Sequence, residues 1–426
     1  MTIILLLLLM ITLIAIGLPI AFSLLITSIV YFTVTPSLDI IVVQRMVTSL
    51  ASFPLLAVPF FVLAGTIMVR GGIAERLIGF ADVLVGHLRG GLAQVNVMNS
   101  VLIGGMSGSA SADAAIDSKV LVPIMRRKGY SNGFASALTA TSSVFSPLLP
   151  PSISLVIYGV MADVSIGDLF MAGIGVSAVM LVVMMLTVHI LSIRNGYAPS
   201  RGRATLGEVW VAFRASIFAL LMPVLLLVGL RAGVFTPTEL AAVAVVYSLV
   251  VAMFVYREIR WRDLPLIFRE AALTTAMIML IIAAAGAFGL VVSYEQIPRQ
   301  LKALLDAASI SPTMFMVILS IALLIAGTVL ESLSLMIILI PVLAPMGAGL
   351  GIPPEQLGLL LVLIFTLGGI TPPVGTITFT VCAITGCRLG EFTRAFLPFF
   401  AGMLLVVLAV ILFPPLTTWL PAVLRH

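Results

Sequence analysis

Two long apolar stretches of this chain are each interrupted by clustered prolines. One interruption reads Ser146-Pro147-Leu148-Leu149-Pro150-Pro151-Ser152, the other Gly369-Ile370-Thr371-Pro372-Pro373-Val374-Gly375. Proline lacks an N–H and clashes with the preceding helical turn, so neither stretch continues as a helix. At bilayer depth such irregular backbone survives only where it lines a cavity or is buried in protein. Upstream lie two glycine- and hydroxyl-rich runs, Gly104-Gly105-Met106-Ser107-Gly108-Ser109 and Gly327-Thr328-Val329-Leu330-Glu331-Ser332. Between run and break come Val122-Pro123-Ile124 and Ile340-Pro341-Val342. Pro123 and Pro341 are 218 residues apart, as are Gly133 and Gly351, about half of the 426-residue chain. Gly/Pro-interrupted apolar segments in matching positions of two halves point to the binding site of a secondary transporter.

Composition fixes the solvent. Hydrophobic residues make up 61% and charged residues 9%, with a mean hydropathy of +1.27. A soluble domain carries roughly 25% charged residues, so the chain reads as an integral membrane protein. The net charge of +5 is then a topology signal and not a nucleic-acid footprint, since no basic run is interleaved with aromatics. Cys382 and Cys387 lack metal-site or disulfide-framework spacing and read as small packing residues. No GxxxxGK[ST] run is present, which argues against ATP as the direct energy source.

The apolar N-terminus, about residues 3–31, is too long for a signal-peptide core and has no basic flank. It reads as a retained first span, tilted or slightly bent around Pro19. Further spans are expected at about 54–69, 130–162, 165–193, 211–231, 238–256, 266–293, 355–386 and 395–413. Regions 91–126 and 312–346 have polar or glycine-rich middles and are expected as re-entrant hairpins. That reading places Arg70, Arg76, Arg89, Arg126, Arg127, Lys128, Arg194, Arg201, Arg203, Arg257, Arg260, Arg262, Arg388 and Arg394 on one face. Arg45, Arg231, Arg299, Lys302 and Arg425 fall on the other. By the positive-inside rule the first face is cytoplasmic, with the N-terminus cytoplasmic and the C-terminus periplasmic. The expected fold is all-α, a polytopic membrane protein with an inverted repeat, two re-entrant helical hairpins entering from opposite sides, and two broken helices. Its halves are 1–205 and 206–426. Amphipathic stretches at 73–87 and 295–306 precede the hairpins and suit helices lying along the interface, or ordinary loop helices.

The hairpin tips are where chemistry is expected. Freed carbonyls and serine or threonine oxygens suit a hard cation such as Na+, and half-helix N-termini suit a substrate carboxylate. The sodium candidates are Ser107, Ser109, Ser146 and Ser152 in the first half. In the second they are Thr328, Ser332, Gly369, Thr371, Gly375 and Thr376. The substrate candidates are Ser107, Gly108, Ser109, Asp113, Pro150, Ser152, Thr371 and Pro372. The plainer reading is that these small residues tighten helix packing. Asp113 and Glu331, also 218 apart, read as symmetry mates that favour sodium or take up protons. Asp117 and Lys119 fit partners that hold the hairpin; Asn96 and Asn99 fit a polar lining or helix glue.

The run from Gly104 to Asp113, Asp117-Ser118-Lys119 with Val122-Pro123, Gly129-Tyr130, and Ser146-Pro147 to Pro150-Pro151-Ser152 resemble the large membrane subunit of tripartite ATP-independent periplasmic (TRAP) transporters. Gly369 to Gly375 is similar to that family's second broken-helix motif, and the resemblance covers nearly the whole chain. It implies an elevator-type transporter of the bacterial inner membrane. A transport domain of both hairpins with broken helices 130–162 and 355–386 would move within a scaffold. It also implies sodium coupling, a small four-helix membrane subunit, and a periplasmic substrate-binding protein delivering a small organic acid. The family's sodium-site regions carry over onto Ser107, Gly108 and Ser109 with the Ser146–Ser152 break, and onto Thr328 and Ser332 with the Gly369–Gly375 break. Two rivals remain: a stand-alone sodium/dicarboxylate symporter, and an intramembrane serine protease using Gly105-Met106-Ser107-Gly108 with His189.

Overall fold

Helices α1 (Thr2–Ala15) and α2 (Ile20–Val34) open the chain, separated where Gly17 takes φ +89° and Pro19 begins the next turn. The structure, a computed structural model, describes residues 2–34 and 39–424. The expected single first span, slightly bent at Pro19, is therefore two separate helices. Gly17 ends the first by entering the left-handed region, and Pro19 supplies the fixed φ that starts the second. The α3 helix (Asp39–Leu50), which the sequence reading missed, packs along a later helix. There the small Gly286 lets Ser49 approach so closely that a Cβ would sit 2.0 Å from its Oγ.

The first half continues with α4 (Ala57–Arg70), α5 (Ile73–Val85), α6 (Gly91–Ser107), α7 (Ala110–Arg127), α8 (Asn132–Ser142), α9 (Ile153–Ala162) and α10 (Ile166–Asn195). Then come α11 (Leu206–Arg231), α12 (Pro237–Val250), α13 (Leu264–Tyr294) and α14 (Ile297–Ala307). The second half closes with α15 (Pro312–Gly327), α16 (Ser332–Gly349), α17 (Pro354–Ile370), α18 (Thr376–Thr385), α19 (Leu389–Leu412) and α20 (Pro415–Leu424). No strand occurs among the described residues. Capping boxes start two of these helices, Thr205 with Glu208 for α11 and Thr236 with Glu239 for α12. Each satisfies two orphan backbone donors reciprocally.

Among the described residues, seven segments are long and apolar enough to cross a bilayer: Phe53–Arg70, Ile166–Asn195, Leu206–Leu230, Pro237–Val255, Trp261–Tyr294, Ser332–Gly349 and Leu389–Leu412. The chain is thus an all-α, multi-pass membrane protein, as its composition requires. Helix α17 is buried on every side from Gln356 to Ile370 and α8 nearly so, which fits their lack of an amphipathic pattern. The expected interface stretches are helices α5 and α14; α14 meets α15 at 119°.

Element boundaries recur, at a spacing that corrects the sequence reading. The N-caps Ser109 and Glu331 lie 222 residues apart, as do the left-handed Gly129 and Gly351 and the cis Pro150-Pro151 and Pro372-Pro373 bonds. At 222, Pro123 matches Pro345 and not Pro341, and Asp113 matches Leu335. Glu331 is therefore the positional counterpart of Ser109, and Asp113 and Glu331 are not mates. The 218 spacing pairs residues of the same type that stand one helical turn out of register.

Candidate functional site

Between α6 and α7 the chain turns over two residues. Gly108 adopts φ +61° and Ser109 caps α7, its Oγ accepting from the Ala112 N–H at 3.4 Å. The second tip is capped differently: Glu331 Oε2 accepts from the Ser334 N–H at 2.9 Å and the Ser334 hydroxyl at 3.0 Å. The proline breaks end in comparable starts, α9 after Ser152 and α18 after Gly375.

These four starts meet. Ala110, Ile153, Ser332 and Thr376, the first residues of α7, α9, α16 and α18, line one cavity of about 510 Å³. Its far wall is α13, through Thr274, Met277, Ile278 and Ile281. Among the described residues that line it, nine bear hydroxyls, Glu331 is the one carboxylate, and none is Lys, Arg or His. Four helix N-termini aim partial positive charge at this space, so it suits an anion held by backbone dipoles and hydroxyls instead of basic side chains.

Behind the cavity, tip and break are in close contact. A Cβ on Gly108 would lie 2.5 Å from the Pro151 carbonyl oxygen, and one on Gly104 3.1 Å from Ser146. In the second half Gly327 and Gly368 pack backbone to backbone, with each added Cβ at 3.0 Å or less from the other's Cα. A Cβ on Gly375 would meet the Gly369 and Thr371 carbonyl oxygens at 2.6 and 2.9 Å. Backbone oxygens therefore stand at both breaks, that of Pro151 at the first and those of Gly369 and Thr371 together at the second, donors of the kind that fit a hard cation.

The candidate residues divide between the two layers. Gly108, Ser109, Ser332 and Thr376 line the cavity. Ser107, Asp113, Ser146 and Ser152 are buried behind it. The Ser146 hydroxyl donates to Asp113, and Ser152 Oγ donates to the Pro147 carbonyl at 2.5 Å. Thr371 donates to the Leu367 carbonyl and Thr328 to that of Ile325, each a local helix-end bond. Pro150, Gly369, Pro372 and Gly375 belong to the breaks without lining the cavity. Sequence reasoning missed Ser111, Ser154, Thr274, Thr366 and Thr380. The last stands one turn after Thr376 on a short helix, a spacing that marks it; nothing in the sequence marks Thr274.

Asn99 and Ser100 bond Asp117 and hold the hairpin together, whereas Lys119 is exposed. Ser107 Oγ accepts from the Ser109 N–H at 3.3 Å, and among the described residues no hydrogen bond joins it to His189.

Comparison with known proteins agrees with this architecture. The profile described as "Tripartite ATP-independent periplasmic transporter, DctM component" matches residues 7–416. The sialic acid TRAP transporter large permease protein SiaM of Vibrio cholerae is 36% identical over 95% of both chains. The C4-dicarboxylate large permease protein DctM of Pseudomonas aeruginosa is 38% identical over 87% of this chain and 86% of its own. The 2,3-diketo-L-gulonate large permease protein YiaN of Escherichia coli is 36% identical over 95% of both. Among solved structures, the YdaH transporter of Alcanivorax borkumensis shares the fold, with a TM-score of 0.60 over 86% of both chains at 15% identity.

Proposed function

This chain belongs to the DctM component family of tripartite ATP-independent periplasmic transporters, a family of permease subunits and not of enzymes, and on that premise we propose that it imports a small organic acid with sodium. The observation carrying the reading is the cavity lined by the first residues of four helices, two of which start directly after the proline breaks. A carboxylate there is held by backbone N–H groups and the hydroxyls of Ser109 and Thr376. Glu331 already occupies the α16 N-terminus, so the substrate's carboxylate goes to the others.

Sodium belongs at the tips and breaks themselves, reaching the cavity wall at Ser109, Ser332 and Thr376. In the first half the oxygens of Ser107, Ser109, Ser146 and Ser152 and the Pro147 and Pro151 carbonyls would hold it. In the second, Thr328, Ser332, Thr371 and Thr376 with the Gly369 carbonyl would do so around Gly375. Each ion orders the same tip backbone that contacts substrate, so sodium and substrate tighten each other reciprocally. The hairpins lie inverted in a bacterial inner membrane, entering from opposite faces, with the N-terminus cytoplasmic and the C-terminus periplasmic. Hairpins and broken helices slide as one body against a scaffold that includes α13. A small four-helix membrane subunit binds that scaffold, and a periplasmic substrate-binding protein delivers the acid, as the relatives' names for sialic acid, C4-dicarboxylate and 2,3-diketo-L-gulonate transport suggest.

Ser109→Ala and Thr371→Ala test the assignment in reconstituted vesicles. Each is expected to raise the sodium concentration for half-maximal uptake; unchanged sodium dependence in both would remove the site assignment.

A further inference from the structure

We propose that Asp117 is a proton-binding site built into the first hairpin, a site with no counterpart in the second. Asp117 lies on α7 one turn below Asp113, and both are 1% exposed. The helices packed on α7 supply no basic group: α6 and α8 carry no ionisable side chain, α18 carries only Cys382, and Lys119 on α7 itself is exposed. Two uncompensated negative charges one turn apart, away from water, are the costliest arrangement available.

Counting hydrogens places the proton. In the amide orientation that directs Asn96 Nδ2 at Thr139 Oγ1 (2.8 Å) and Met125 Sδ (4.0 Å), Asn96 Oδ1 faces the Ser142 hydroxyl at 2.9 Å. Ser142 has one hydrogen, and its other neighbour in that direction, the Thr139 carbonyl, also only accepts. Towards Ser100, 2.8 Å away, Ser142 must therefore accept, which commits the one Ser100 hydrogen. Ser100 Oγ nevertheless lies 3.3 Å from Asp117 Oδ2. In that amide orientation the hydrogen of this contact comes from Asp117 as a neutral acid donating to Ser100, while its Oδ1 accepts from Asn99 Nδ2 at 2.8 Å. Asp113 differs in its partners: its Oδ2 accepts from Ser146 and its Oδ1 has no hydrogen-bond donor. At the 222 spacing, Asp117, Asp113 and Ser142 become Leu339, Leu335 and Ile364, so the second half repeats the backbone without the acids.

Infrared spectroscopy of the purified full-length chain with its small subunit tests this without reference to transport. A carboxylic-acid C=O band that shifts in D2O is expected in the wild type and absent in Asp117→Asn. Ser100→Ala keeps the acid but removes its acceptor, so the band should persist and move to higher wavenumber. A wild-type spectrum without such a band, a band retained in Asp117→Asn, or one unmoved by Ser100→Ala would each overturn the proposal. A second arm rests on the uptake reading. The pH dependence of uptake at saturating sodium should flatten in Asp117→Asn, and an unaltered profile would count against an exchanging proton. The infrared arm stands or falls independently of that activity.

Discussion

Replacing Gly108 by alanine separates two costs that the structure superimposes at the first tip. Gly108 has φ +61°, and an added Cβ would lie 2.5 Å from the Pro151 carbonyl oxygen, where ordinary contact begins near 3.4 Å. Alanine in the left-handed region costs about 1–2 kcal/mol. Clearing the carbonyl moves tip and break apart by roughly 1 Å, and overpacking of this kind costs a further ~1–3 kcal/mol. Gly129 supplies the control: it has φ +89°, sits at the opposite end of α7, and has no atom within 4 Å of the added Cβ. Gly129→Ala therefore carries the conformational cost alone. Thermal unfolding in detergent should show both variants destabilised, Gly108→Ala by more. Sodium-dependent uptake should separate them further. If the extra ~1–3 kcal/mol opposes the arrangement that binds sodium, its apparent affinity falls roughly 5- to 150-fold in Gly108→Ala and stays near wild type in Gly129→Ala. Equal stability losses with equal sodium affinities would refute the claim that the Gly108–Pro151 contact shapes an ion site.

Glu331→Ala removes the cap on the Ser334 N–H and should cost about 0.5–2 kcal/mol, read as faster amide exchange over the first turn of α16, whereas Glu331→Gln retains an acceptor and most of the protection. Gly368→Ala places a Cβ 2.8 Å from the Gly327 Cα and should lower thermal stability by about 1–3 kcal/mol, because neither backbone is able to yield as a side chain does. Arg70→Ala breaks the Arg70–Glu270 pair joining α4 to α13, but both partners are about two-fifths exposed. Its effect on unfolding should stay within ~1 kcal/mol and shrink with added salt.

Much of the architecture was legible because membrane solvation leaves few choices. Apolar runs near 20 residues became the expected spans, and Pro147, Pro150, Pro372 and Pro373 marked both helix breaks, since proline's missing N–H acts locally. Gly17 and Pro19 together carried a stop and a start that were read as a bend. Helix α3 was missed because Gln44, Arg45 and the hydroxyls of Thr48 and Ser49 dilute its apolar pattern, and its stability comes from packing on α13. The register failed for a related reason: matching Pro123 to Pro341 compared residue types, whereas N-caps and left-handed glycines fix where helices begin and end. At the site, Ser109 was found because a hydroxyl follows glycine at a tip, and Ser332 because it closes the matching Gly327–Ser332 run. Thr274 was not, because the wall it belongs to comes from a helix remote in sequence. The donor count around Asp117 depends on distances that no spacing rule supplies.

The most direct test of the account is uptake of labelled organic acids into proteoliposomes holding this chain and its small membrane subunit. It is measured with and without an inward sodium gradient, and with and without the periplasmic binding protein. Uptake is expected only when gradient and binding protein are both present. Uptake without the binding protein would identify a stand-alone carrier, and uptake indifferent to sodium would contradict the role assigned to both helix breaks.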